Sequence, residues 1–394
     1  MPTLDDDHTG ARIRDQRKLA RLTQRELADR IPYSYSLLNQ VECGARPATA
    51  DFVAAVSRVL GVDVTTLTGQ PYVTELQRDR LAELVRPIRE SLDLYDLGPN
   101  PDLVARPGTD LITKADTLCV EVRATHLRNA ARELPGVIAE LTHSAWSVPS
   151  TELWQALAST YRTAHDISVK LGYYDLAAVA LDRMDWAAQR ASDPCLAAVR
   201  QYMRALVYFR EGEYRIGQRL VASGHSMVGQ ADETRESLAV TGQLHLGASV
   251  ICARAEDKTS VNRHISEARK IAKRIGDASD VHHLSFGPTN VALHKMSAAV
   301  EMRQYDDALT QGRKMKLPAS LATSRRAHFL IDQARTEMET GHTGDALDHL
   351  VEARRVAPEQ TRYHPGARET ITSLVHLARR TPDTLNHMAA WVGL

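Results

Sequence analysis

The chain has 394 residues, enough for two or three domains and a sizeable core. Its 49 Lys and Arg match 49 Asp and Glu, so the formal net charge is zero. That excludes a uniformly basic wrapper of nucleic acid but leaves room for a local basic face. No apolar run reaches the roughly 18 residues of a membrane span. The isolated cysteines Cys43, Cys119, Cys195 and Cys252 show no CxxC spacing, so buried reduced thiols are expected rather than a disulfide scaffold or zinc site.

The opening "MPTLDDDHTG" is acidic and polar, unlike a signal peptide, and residues 1–9 read as a disordered tail on a cytoplasmic protein. Beyond it apolar residues recur at intervals of three and four, not two, which predicts an all-α chain. Residues 10–69 form a first unit with helices expected over 10–20, 23–30, 34–42, 49–60 and 63–68. Thr23 and Glu26 make a capping box, Ser34, Thr49 and Asp63 are N-caps, and Gly44, Gly61 and Gly69 are stops. Pro32 has no amide hydrogen and biases Ile31 away from the helical region, so the second helix must end near Arg30. In the third, Leu38 and Val41 give an inward edge, while Tyr35, Ser36, Asn39 and Gln40 take the outward one.

Two helices joined by a short turn, with polar side chains outward on the second, describe a DNA-reading unit. Asn and Gln can pair with adenine in the major groove, and a tyrosine ring can meet a thymine methyl or a phosphate. Between 10 and 69 nine basic residues face six acidic ones. This small excess implies few phosphate contacts, salt-sensitive binding and a homodimer.

Residues 70–110 read as a connecting helix, broken or kinked at Pro87, followed by the Pro- and Gly-rich linker "GPNPDLVARPGTD". From 111 to 394 a degenerate helical repeat follows. Small or apolar anchors at Ala177, Gly217, Val261, Ala308 and Ala346 recur at intervals near those of stacked helix pairs, somewhat longer than the standard tetratricopeptide unit. In "TNVALHKMSAAVE", Asn290, His294, Ser297 and Glu301 share one helix face. Asn290, His294 and Ser297 are the candidate effector-binding residues on the concave side, where Asn290 can clamp a peptide amide through both its oxygen and its nitrogen. Trp146, Trp154, Trp186 and Trp391 read as packing residues. No HExxH or GxSxG motif and no phosphate-binding glycine loop occurs, so neither catalysis, cofactor nor metal is expected.

The stretch "LTQRELADRI…SYSLLNQVECGARPATADFVAAVSRVLGVDVTTL" resembles the lambda-repressor-like, Xre-type helix-turn-helix domain. That resemblance implies a five-helix DNA-binding domain in which Gln24, Ser34, Tyr35, Ser36, Asn39 and Gln40 face the DNA and Arg46 sits near phosphate. It also implies a structural ion pair between Arg17 and Glu42. One departure is Pro32, where family members usually carry glycine in the turn. An Xre-type domain ahead of tetratricopeptide-like repeats is similar to peptide-responsive quorum-sensing regulators and to many actinobacterial regulators. By resemblance the protein is a homodimeric regulator of double-stranded DNA at an inverted-repeat operator, controlled by a peptide or small-molecule effector. The alternative is a DNA-binding protein whose repeats dock a partner protein.

Overall fold

The computed structural model describes residues 8–69, 82–378 and 381–394. The tail expected over 1–9 and the start of the connector therefore lie largely outside the described residues. Every regular element among the described residues is helical.

The first unit contains α1 (Thr9–Leu19), α2 (Gln24–Ala28), α3 (Tyr35–Glu42), α4 (Ala50–Leu60) and α5 (Val64–Thr68). Its core is Ile13, Leu27, Leu38, Val41, Phe52, Val56 and Leu67, which the helical spacing turns to one side of each helix. Thr23 and Glu26 cap each other's backbone, and Ser34 and Thr49 accept from the amides of Leu37 and Phe52. Asp63 sits at an N-cap position but makes no side-chain cap. Helix α2 ends at Ala28, two residues before the expected stop. No residue from 29 to 34 takes a positive φ, so the turn is closed without the left-handed residue that a glycine would supply, and Pro32 is accommodated. Gly10 fixes how α1 meets α3: a Cβ there would lie 1.8 Å from the Val41 carbonyl oxygen.

The remainder is a helical solenoid. It opens with α6 (Ala82–Asp93), α7 (Gly108–Arg123) and α8 (Leu127–Ser147). The paired helices follow: α9 (Thr151–Lys170) with α10 (Tyr174–Ala191), α11 (Pro194–Glu211) with α12 (Tyr214–Val228), and α13 (Arg235–Arg254) with α14 (Lys258–Ile275). A 3-10 turn at Val281–His283 leads to α15 (Pro288–Glu301) with α16 (Tyr305–Lys314), then α17 (Thr323–Glu339) with α18 (Thr343–Val356). The chain ends in α19 (Pro358–Tyr363), α20 (Pro365–Leu377) and α21 (Asp383–Val392).

Each sequence anchor, Ala177, Gly217, Val261, Ala308 and Ala346, is the buried fourth residue of the second helix in its pair. Where it is alanine or glycine, the small side chain lets the two helices approach closely. The turn inside each pair repeats as well. Its left-handed position is filled by Gly172, Gly212, Glu256, Arg303 and Gly341. In two pairs, then, a residue with a Cβ occupies a conformation that glycine adopts without strain.

Two expectations need correcting. The connecting helix is not broken at Pro87: α6 runs through it, and its Val85, Ile88 and Leu92 are buried in the solenoid core. The thiols are not all buried, since Cys43 is exposed just after α3. The tryptophans Trp146, Trp154 and Trp186 pack on one another with centroids 5.3 to 6.1 Å apart, and Arg190 lies 3.8 Å over the Trp186 ring.

The superhelix closes on itself. Helix α17 meets α7, the Lys170 ammonium at the end of α9 reaches Gln360 of α19, and Glu359 of α19 accepts from the Arg128 amide of α8. The concave side is thus an interior lined by the first helices of successive pairs rather than an open trough.

Candidate nucleic-acid interface

The reading helix is held from behind by charge. The Arg17 guanidinium makes two parallel bonds to Glu42, Nε–Oε1 at 2.6 Å and Nη2–Oε2 at 2.8 Å, and its Nη1 donates to the Leu22 carbonyl at 2.7 Å. The two side chains are 9% and 2% exposed. Glu42 holds the Arg17 pKa up by hydrogen bonding, against the cost of burial. A fork of this kind fixes both distance and angle, so α1 sets the orientation of the last turn of α3.

Gln24 joins the same lock. Its amide nitrogen donates to Glu42 Oε2 at 2.7 Å and lies 3.3 Å from Asn39 Oδ1. Gln24, expected to face the DNA, is half-exposed at the start of α2, and its amide nitrogen braces α2 against α3 through Glu42. Ser34, Tyr35, Ser36, Asn39 and Gln40 lie exposed on the outer side of α3, Tyr35 at 49%. Ser34 also serves as the N-cap, which ties its hydroxyl to the Leu37 amide at 3.2 Å. Arg46 is exposed, and its backbone amide bonds to the Gln40 carbonyl at 3.1 Å, so the loop carrying it is fastened to the end of α3. Lys18, Arg21, Arg25 and Arg30 are exposed as well. By contrast, Arg12 is spent on the carbonyls of Leu67 and Thr68.

The opposite side of the domain is docked on the solenoid. Asp51, in the first turn of α4, lies 2.9 Å from Arg254 at the end of α13, and Arg254 also bonds Glu301 at the end of α15 at 2.6 Å. Burial works against charge on Arg254, but Glu301 and Asp51 together hold its pKa up. Arg303, in the turn after α15, donates to the Tyr33 hydroxyl at 2.9 Å, and Tyr33 packs on Phe52 with centroids 5.1 Å apart. Arg58 of α4 donates to the Gly212 carbonyl at 2.7 Å. Three turns of the solenoid thus grip α4 and the turn before α3, while among the described residues nothing covers the outer face of α3.

Sequence reasoning missed this clasp. A signal existed: Arg303 stands where three of the four sister turns carry glycine, and a cation held at such a position asks for a partner.

The effector residues are also corrected. Asn290 and His294 are 1% and 6% exposed, between helices rather than on an open edge. Asn290 donates to Gln243 at 3.3 Å and accepts from Arg325 Nη2 at 2.6 Å. The Ser297 hydroxyl donates to Asp332 at 2.6 Å. With its amide spent on both sides, Asn290 cannot clamp a peptide backbone. Burial, then the nearby Arg325 charge, push the His294 pKa well down, so the ring stays neutral.

Asp193, Cys195 and Glu236 come near enough to share a cation, but their chemistry argues for structure. Burial pushes the Cys195 thiol up to about 12, Asp193 caps Leu196, and Glu236 pairs with His282.

Comparison with known proteins agrees with the first unit. Residues 8–68 match the family model described as a helix-turn-helix domain. Over 110 residues the chain is 37% identical to a protein of Cereibacter sphaeroides described as a propionyl-CoA carboxylase regulator. That match covers 26% of this chain and 23% of the relative, under a quarter of the relative's length. No solved structure matches the chain. No helix among the described residues is long and apolar enough to cross a membrane. With α2 and α3 joined by a closed turn and the polar face of α3 outward, residues 8–68 form a helix-turn-helix domain.

Proposed function

We propose that this protein is a non-catalytic, sequence-specific DNA-binding regulator of the Xre type, with the tetratricopeptide-like solenoid acting as its control domain. The carrying observation is the division of the first unit into two faces. One bears exposed Tyr35, Asn39 and Gln40 on a helix braced by the buried Arg17–Glu42 pair; the other is clasped by Arg254 and Arg303. A helix too short to be stable alone is thereby presented rigidly, as base readout requires. The description of the Cereibacter sphaeroides relative as a regulator supports a regulatory role.

In this reading Asn39 and Gln40 pair with base edges, Tyr35, Ser34 and Ser36 contact bases or the adjoining backbone, and Arg46 neutralises a phosphate. The small net charge of the domain favours a homodimer on an inverted repeat, so that two weak half-sites add. An effector in the solenoid shifts the equilibrium between placements of the two reading heads, by as much as its affinity differs between them. Selection of bound duplexes from a random pool tests this. An enriched inverted repeat with half-sites about one helical turn apart is expected. A pool that stays random while the protein retains duplexes at low salt overturns sequence-specific recognition.

A further inference from the structure

The interior of the superhelix is polar and unbalanced in charge. Arg123 enters from α7, Arg162 and Lys170 from α9, and Arg325 from α17, close enough to feel one another's fields. Two carboxylates, Asp166 and Asp332, stand among them. Asp166 is taken by Arg123 at 2.8 Å, with Arg162 Nε at 4.0 Å. Asp332 accepts from Ser297 and lies 3.8 Å from His328. Lys170 and Arg325 are left with neutral amides, Gln360 and Asn290.

Holding four cations against two carboxylates in a partly enclosed interior is costly. It occurs chiefly where a site is built for something else. Arg162 is 1% exposed, and beyond its bond to the His282 carbonyl its Nε and Nη2 find no hydrogen-bond acceptor. The Nε groups of Arg123 and Arg325 also lack one. Arg123, Lys170 and Arg325 each keep part of the side chain accessible, Arg123 at 20%, so the cations border open space rather than sealed packing. The cations leave their mark on their neighbours: burial, then the charge of Arg123, bring Lys170 down to about 8, and burial, then the charge of Arg325, bring His328 down to about 3.

We propose that the interior of the superhelix binds a compact polyanion of the phosphate or diphosphate type, held by Arg123, Arg162, Lys170 and Arg325. Guanidinium forks match phosphate oxygens in pairs, and the ammonium adds a point charge. Two or more negative charges offset the excess that Asp166 and Asp332 leave. An extended peptide fits less well, because its amides need polar partners along a free edge, and Asn290 is already engaged on both sides.

Helix α15 connects this site to the DNA-binding unit. Asn290, near its start, is bound by Arg325, and Glu301, at its end, holds the Arg254–Asp51 clasp. An anion that draws Arg325 away from Asn290 acts on the helix that ends at the clasp. This consequence rests on the effector reading above; the binding site does not.

Thermal melts of the full chain with sodium pyrophosphate, against sodium chloride at equal ionic strength, test the site. Wild type should melt several degrees higher with pyrophosphate. Lys170→Gln and Arg325→Gln should lose that rise, and Lys270→Gln on the exposed surface should keep it. Without the anion, both interior variants should melt at or above the wild-type temperature, since each removes an uncompensated charge. No rise in wild type, an undiminished rise in both interior variants, or lower melting of both without anion overturns the proposal. An equal rise with citrate overturns the phosphate class. Pyrophosphate that binds but leaves affinity for the selected operator unchanged upholds the site and removes the effector reading.

Discussion

Arg303 reaches from the turn after α15 to Tyr33, in the turn before the reading helix, donating to its hydroxyl at 2.9 Å with the guanidinium 5.7 Å above the ring. It does so from a left-handed backbone conformation, φ 57°, where three of the four sister turns carry glycine. Strain is retained where the side chain holds the two parts of the molecule together. Arg303→Gly should relieve about 1 kcal/mol of backbone strain in its own turn while releasing Tyr33. Hydrogen exchange should then quicken across residues 29–36 with the solenoid unchanged. Unaltered exchange there would show that the contact carries no coupling.

The Arg17–Glu42 fork predicts a large cost for breaking one side only. Arg17→Ala leaves a carboxylate buried without its cation and should cost on the order of 3 kcal/mol. The double variant Arg17→Met, Glu42→Leu should cost less than Arg17→Ala alone, because no charge is then stranded. Denaturant melts of the full chain, followed at the first unfolding step, distinguish the two.

Base readout and phosphate contact separate by their response to sequence and salt. Gln40→Ala should relax discrimination at one half-site position by about 1–3 kcal/mol. Arg46→Ala should weaken every duplex alike and reduce the salt slope by about one unit. Gln24→Ala should act mainly on stability, since its amide serves Glu42. Equal, sequence-independent losses for Gln40→Ala and Arg46→Ala would remove the assignment.

His165 gives a pH dependence of known sign. It is buried at 4% exposure with Nδ1 3.1 Å from the Ala177 carbonyl, and burial lowers its pKa from 6.5 to about 4. Between those values the unfolded chain binds a proton that the folded one refuses, so stability falls as pH falls from 6.5 towards 4. The full loss is roughly 3 kcal/mol for this group. His165→Gln should flatten that part of the curve of melting temperature against pH; an unchanged slope would place the acid sensitivity elsewhere.

Local chemistry decided much of the first unit, and it was legible. The Thr23–Glu26 box, the Ser34 and Thr49 caps, the apolar spacing of Leu38 and Val41 and the exposure of Tyr35, Asn39 and Gln40 all depend on residues within a few positions of one another. The repeat anchors were legible for the same reason, since Ala177, Gly217, Val261, Ala308 and Ala346 each report a small or apolar residue at a fixed place in a helix. What depends on closure was not. Whether Asn290 faces a groove or is sealed against Gln243 and Arg325 is decided by how far the solenoid curls, which sums small rotations over many helix pairs. The meeting of Asp51 with Arg254, of Tyr33 with Arg303, and of Lys170 with Gln360 joins residues that are far apart in the chain. Charge pairing over such separations follows from the packing of whole helices, and only the tertiary structure sets that.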